Sequence, residues 1–73
     1  MSPFALSEFE RLRSVDPEII ELSVHVLGEQ VRAVRWWIRK SGALGMSPNE
    51  AYAEGKREAV IQELYAIKYS ISP

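Results

Sequence analysis

The fold is decided by residues 16–42, DPEIIELSVHVLGEQVRAVRWWIRKSG, which carry start and stop signals for two consecutive helices. Asp16 can cap the first helix, and Pro17 fits its first position, where a backbone N–H would have no partner. Gly28 and Gly42 are placed to end the two helices, because glycine adopts the left-handed cap conformation without strain. This stretch therefore predicts a pair of helices joined by a tight connection.

Apolar residues in both segments recur three or four positions apart, which is the spacing of one helix face. They are Ile19, Leu22 and Val26 in the first segment and Val31, Val34 and Ile38 in the second, which we expect to run over about 29–41. Each helix therefore has a face to bury.

The second helix also carries a cationic and aromatic cluster. Arg32, Arg35 and Arg39 share a stripe at helical spacing, separate from the apolar stripe. Trp36 and Trp37 lie between the two stripes and point about 100° apart, so they cannot both occupy the centre of one buried face. We expect at least one indole to reach the surface, which makes Arg35, Trp36 and Arg39 candidate partner-binding residues.

Three further helices are predicted outside this stretch. Ser7 with Glu10, and Ser47 with Glu50, form two capping-box patterns, each of which marks the start of a helix. The expected spans are about 7–14, a short helix from Pro48 through Tyr52 that stops near Gly55, and about 56–69. No strand pattern, repeat or linker divides the chain. The sequence predicts an all-α, compact single-domain bundle of about five short helices over residues 1–73.

Composition narrows the classes of function. The chain has 73 residues, and its 47% hydrophobic and 26% charged residues are typical of a globular domain. A net charge of -1 disfavours nucleic acid as a partner, and the lack of cysteine excludes disulfides and thiolate metal sites. The first eight residues have neither the basic flank nor the apolar run of a signal peptide or membrane anchor. We expect a cytoplasmic protein without membrane association.

Catalysis has little support in the sequence. His25 is the only histidine, and no serine, aspartate or second histidine stands at a spacing typical of a catalytic triad. The carboxylates are scattered over helix starts and polar faces, and the glycines match no phosphate-binding motif. We therefore expect a protein that is not an enzyme and holds no cofactor or metal. A small chain without disulfide or metal often relies on a partner for stability, which favours an interaction role.

A series of short motifs in the second half resembles a known family. The motifs are Trp37, then Ser41-Gly42-Ala43-Leu44-Gly45-Met46-Ser47-Pro48, then Glu50-Ala51 and Gly55, then Val60, Leu64, Ile67 and Tyr69. Their order and spacing resemble the toxin-binding domain of the Xre/MbcA/ParS antitoxins, and the resemblance extends from about Arg11 to the end. Most members also carry an N-terminal helix-turn-helix domain, which we expect to be missing here because 73 residues leave no room for one.

The resemblance implies an antitoxin or immunity-type protein whose partner is a cognate RES-domain toxin that uses NAD. In that family the last helix and the C-terminal segment cover the NAD pocket of the toxin, so inhibition needs no chemistry from the antitoxin. Transferred by position, the blocking segment that this implies is Lys68, Tyr69, Ser70, Ile71, Ser72 and Pro73. Tyr65, on the same helix, is a further candidate partner-binding residue.

Other interpretations remain open at the level of sequence. In one alternative, one tryptophan belongs to the core and the arginines pair with nearby glutamates. In the same alternative, Tyr69 and Ile71 complete the apolar stripe of the last helix. A second class of function is a nucleic-acid-binding or regulatory adaptor that uses the arginine stripe. A third is an oligomerising module, such as a homodimer, in which Trp36 or Trp37 is buried between identical subunits.

Overall fold

The computed structural model describes residues 3–70 and contains five helices in that range. These are α1 (Pro3–Val15), α2 (Pro17–Leu27), α3 (Gln30–Ile38), α4 (Pro48–Ala53) and α5 (Arg57–Ser70). No strand is present within the described range. The prediction of an all-α bundle of about five short helices is confirmed.

One apolar core joins all five helices. Helix α2 packs against α1, α3 and α5, and the short α4 contacts both α3 and α5. Every helix contributes at least one fully buried side chain, and the core consists of Ala5, Phe9, Leu12, Ile19, Ile20, Ala33, Val34, Trp37, Ala51, Val60 and Leu64. Truncation of any one large core side chain therefore disturbs the packing of several helices at once.

Helix α1 begins four residues earlier than the sequence predicted. Its first residue is Pro3, and Ser7 lies exposed inside the helix, so the predicted capping box at Ser7 is wrong. Proline is tolerated in a first turn, where its missing N–H removes no helical hydrogen bond. The added turn buries Ala5 against the core beside Phe9, and this tertiary contact outweighs the local capping signal.

The predicted caps of α2 and α4 are confirmed. The Asp16 Oδ1 accepts a hydrogen bond from the Ile19 N–H at 3.3 Å, and Gly28 adopts the left-handed conformation with φ +91°. At α4 the Ser47 Oγ accepts from the Glu50 N–H at 3.1 Å, while the Glu50 Oε1 accepts from the Ser47 N–H at 3.2 Å. These ends depend on contacts within a few residues, which is why a sequence pattern can identify them.

Helix α3 ends at Ile38, three residues before the predicted end, and Gly42 does not cap it. The chain instead forms a loop around Ser41, whose N–H donates to the Met46 carbonyl at 3.0 Å and whose carbonyl accepts from the Gly45 N–H at 2.8 Å. The residue with positive φ is Gly45, at +74°. Hydrogen bonds within the loop replace those that a further helical turn would have made.

The buried face of α3 also differs from the predicted stripe. Its buried residues are Ala33, Val34 and Trp37, whereas Val31 and Ile38 remain 45% and 38% exposed. Burial of Trp37 removes far more apolar area from water than burial of a valine, so the helix presents the indole to the core. The predicted Val31, Val34 and Ile38 face is therefore correct only at Val34.

Candidate interaction surfaces

The two adjacent tryptophans have different environments. Trp37 is 1% exposed, and its indole N–H donates to the Ser23 Oγ at 3.0 Å, while the Ser23 hydroxyl donates to the Ile20 carbonyl at 2.7 Å. Trp36 is only partly buried and meets Trp37 edge to face, with ring centroids 5.2 Å apart. Trp37 is thus a core residue, which excludes it from an interface between subunits, and Trp36 is the indole that reaches the surface.

The predicted residues of α3 line one groove, which we call the Arg–Trp groove. It has a volume of about 250 Å³ and is lined by Leu27, Arg32, Arg35, Trp36 and Arg39. The Arg32 Nε lies 3.7 Å from the exposed Glu29 carboxylate. Within residues 3–70, Arg35 and Arg39 make no ion pair. The expectation that these arginines pair with nearby glutamates therefore holds for Arg32 alone.

The predicted residues of α5 form a second surface, the aromatic end of α5, which consists of Tyr65, Lys68 and Tyr69. The two tyrosine rings stack with centroids 6.2 Å apart and an interplanar angle of 16°. The Lys68 Nζ lies 5.8 Å from the centroid of the Tyr69 ring. Tyr69 is 68% exposed and Tyr65 41% exposed, so Tyr69 does not complete a buried stripe.

The end of this helix is also the end of the described chain. The Ser70 hydroxyl donates to the Ile67 carbonyl at 3.1 Å, within the last turn of α5. The other predicted positions of the blocking segment, Ile71, Ser72 and Pro73, lie outside the described residues.

Tyr65 of the aromatic end and the residues of the Arg–Trp groove line two different grooves, both bordered by α2. Tyr65 belongs to a groove of about 400 Å³ between α2 and α5, with Leu22, His25 and Ile61 among its lining residues. Leu27, two residues beyond His25, belongs instead to the Arg–Trp groove. The structure therefore groups the predicted site residues into two sets, one on α3 and one on α5, rather than one continuous site.

A polar cluster that the sequence does not predict links α2, α4 and α5. The Asp16 Oδ2 accepts from the Arg57 Nε at 2.7 Å and from the Tyr52 hydroxyl at 2.9 Å, and Arg57 also reaches Glu18 at 3.1 Å. The hydrogen bond from Arg57 holds the pKa of Asp16 below its usual range. Burial and the bond to Asp16 raise the pKa of Tyr52. No local pattern could reveal partners that lie 36 and 41 residues away.

No family model, curated protein or solved structure matches the chain.

The described part of the chain lacks two kinds of feature. Among residues 3–70, no helix has both the length and the apolar character needed to cross a membrane. In the same part of the chain, no three His, Asp or Glu side chains gather into a group that could hold a metal ion.

Proposed function

We propose that this protein is a cytoplasmic antitoxin that binds a RES-domain toxin and occludes its NAD-binding active site. The observation that carries the proposal is the aromatic end of α5, where two stacked tyrosines and a lysine stand outside the core. The order of motifs from Trp37 to Tyr69 supports the choice of toxin class.

The energetics of the aromatic end suit protein binding. Tyrosine buries a large apolar area while its hydroxyl stays hydrogen-bonded, and it is among the residues that dominate interface affinity. Tyr65 and Tyr69 are already stacked on one helix, so binding restricts few additional side-chain rotamers. An exposed pair of this kind is therefore a stronger anchor than two tyrosines on a mobile loop.

The shape of the aromatic end suits occlusion of a dinucleotide site. A pocket that accepts planar nicotinamide and adenine rings is lined mainly by apolar and aromatic groups, which also accept a tyrosine ring. In this proposal Tyr69 and the residues from Lys68 to Pro73 enter the pocket, while Tyr65 packs at its rim. Inhibition then follows from exclusion of NAD and requires no catalytic group on this chain.

The proposal is tested with the tagged chain, used to purify its partner from the native cell. We expect the captured partner to consume NAD once it is separated from this chain. NAD consumption should stop when the chain is added back. Replacement of Tyr65 and Tyr69 together by serine should weaken this inhibition by about tenfold or more, because both rings are lost from the contact. The measurement is the rate of NAD consumption as a function of antitoxin concentration.

A matched control uses two exposed apolar residues of α1. Phe4 and Val15 are each 64% exposed, and their joint replacement by serine removes a similar amount of apolar surface elsewhere. This control should inhibit like the wild type. Capture of a partner that does not consume NAD, or full inhibition by the tyrosine variant, would contradict the proposal.

A further inference from the structure

The charges of the chain are strongly segregated. The segment from Gln30 to Asn49 holds four of the nine basic residues and none of the ten acidic residues. The remaining sequence holds five basic and ten acidic residues, so a net charge of -1 conceals a cationic segment within an acidic molecule. The basic residues of the segment are Arg32, Arg35, Arg39 and Lys40.

The Arg–Trp groove concentrates this charge around an apolar floor. Arg32 and Arg35 lie one turn apart on α3, and Arg39 follows directly after the end of the helix. Leu27 of α2 and Trp36 of α3 line the same groove. The edge-to-face contact of Trp36 with the buried Trp37 limits its movement. The groove therefore presents guanidinium groups at its rim and a positioned indole within it.

We propose that the Arg–Trp groove docks an acidic segment of a partner protein that carries a large apolar side chain. Carboxylates form paired hydrogen bonds with guanidinium groups, and Arg35 and Arg39 have no acidic partner within residues 3–70. An apolar side chain, such as leucine, fills the floor beside Leu27 and Trp36. Arginine and aromatic residues together are typical of such interface centres.

Nucleic acid fits the same groove less well. A duplex could contact the guanidinium rim through its phosphates, but its backbone would leave the concave apolar floor unfilled. Because the rest of the chain is acidic, its field opposes the approach of a long polyanion beyond the groove. A short acidic segment with one apolar side chain can pair with the guanidinium groups and also fill the apolar floor.

This docking surface is separate from the aromatic end of α5. The groove that Tyr65 lines has no lining residue in common with the Arg–Trp groove. The inference therefore stands whether or not the chain neutralises a toxin, and its test needs neither a toxin nor NAD.

The test measures fluorescence anisotropy of a labelled helical peptide built from glutamate and leucine, added to the full chain. A second peptide has serine in place of each leucine, and a third probe is an oligothymidylate of about ten nucleotides. We expect the glutamate and leucine peptide to bind best and to weaken between about 50 mM and 200 mM salt. The serine peptide should bind at least about fivefold more weakly, because it leaves the floor unfilled.

Two double variants with the same loss of charge locate the binding. Arg35→Gln with Arg39→Gln should weaken peptide binding about tenfold or more, whereas Arg11→Gln with Lys56→Gln, on other exposed surfaces, should change it less than about twofold. Circular dichroism of both variants should show unchanged helix content. Equal weakening by the two variants, absence of saturable peptide binding, or tighter binding of the oligothymidylate would each overturn the proposal.

Discussion

At the scale of single residues, two adjacent tryptophans of α3 differ in what they contact. Trp37 points into the core and is held by its hydrogen bond to Ser23, whereas Trp36, about 100° around the helix, lines the Arg–Trp groove. The two rings touch edge to face. A residue that fills the core thereby also positions a residue that a partner can contact.

A pair of glycine substitutions tests the loop after α3. Gly45→Ala should lower the free energy of unfolding by about 1–2 kcal/mol, because φ at this position is +74° and a Cβ is strained there. Gly42→Ala should be neutral or stabilising by up to about 1 kcal/mol, since its φ is not positive and an added Cβ meets nothing within 4 Å. Urea denaturation of both variants measures the difference.

The reverse order of these two effects would mean that Gly42, and not Gly45, holds the left-handed turn. That outcome would support the longer α3, capped by Gly42, that the sequence predicts. The comparison is clean because the substitutions are chemically identical and lie three residues apart in one loop.

At the scale of elements, local signals predicted some helix ends and failed at others. The caps of α2 and α4 were predictable because Asp16 and the pair Ser47 and Glu50 act within their own first turns. The start of α1 was missed because burial of Ala5 decides it, and the end of α3 because the loop around Ser41 decides it. Contacts of this kind, which form outside a helix's own first turn, cannot be predicted from local sequence patterns.

The polar cluster at the junction of α2, α4 and α5 shows the same limit. Asp16 was recognisable as a helix cap, but its role as acceptor for Tyr52 and Arg57 depends on the packing of three helices. Its side chain is only 12% exposed, so these hydrogen bonds are partly shielded from water. One carboxylate thereby caps a helix and joins it to two others.

Asp16→Asn tests this junction through its pH dependence. The pKa of Asp16 is lower in the folded than in the unfolded chain, so its stabilisation is present above the unfolded value of about 3.9 and is lost as pH falls through the lowered folded value. Asparagine keeps the cap but removes the charge. We expect the variant to be about 1–3 kcal/mol less stable at neutral pH, with the difference vanishing in strong acid.

Glu21→Gln provides the matched control for this measurement. Glu21 is exposed on the same helix and makes no ion pair within residues 3–70, so its replacement changes the net charge equally without breaking the junction. Urea unfolding across the acid range should show a nearly constant, small difference for this control. A loss for Asp16→Asn that is independent of pH would show that the charge of Asp16 is not what stabilises the junction.

At the scale of the whole molecule, α5 divides into a core part and an exposed part. Val60 and Leu64 are fully buried, whereas Tyr65 and Tyr69 face outward at the aromatic end. Resemblance to a family pointed to this end of the chain, and the Arg and Trp pattern pointed to α3. Neither could show that Tyr65 and the residues around Trp36 line separate grooves, because that separation depends on how α2 packs between its neighbours.

The division of α5 predicts opposite consequences for two of its residues. Leu64→Ala removes a fully buried side chain and should cost about 2–5 kcal/mol, a large share of the roughly 4–11 kcal/mol expected for a chain of this length. Tyr69→Ala removes a side chain that is 68% exposed and should change stability by less than about 0.5 kcal/mol. Thermal unfolding should therefore show a fall in Tm of about 10 °C or more for the first variant and almost none for the second. A large fall in Tm for Tyr69→Ala would mean that Tyr69 stabilises the fold of the free chain. That result would contradict the proposal that its side chain is available for binding a partner.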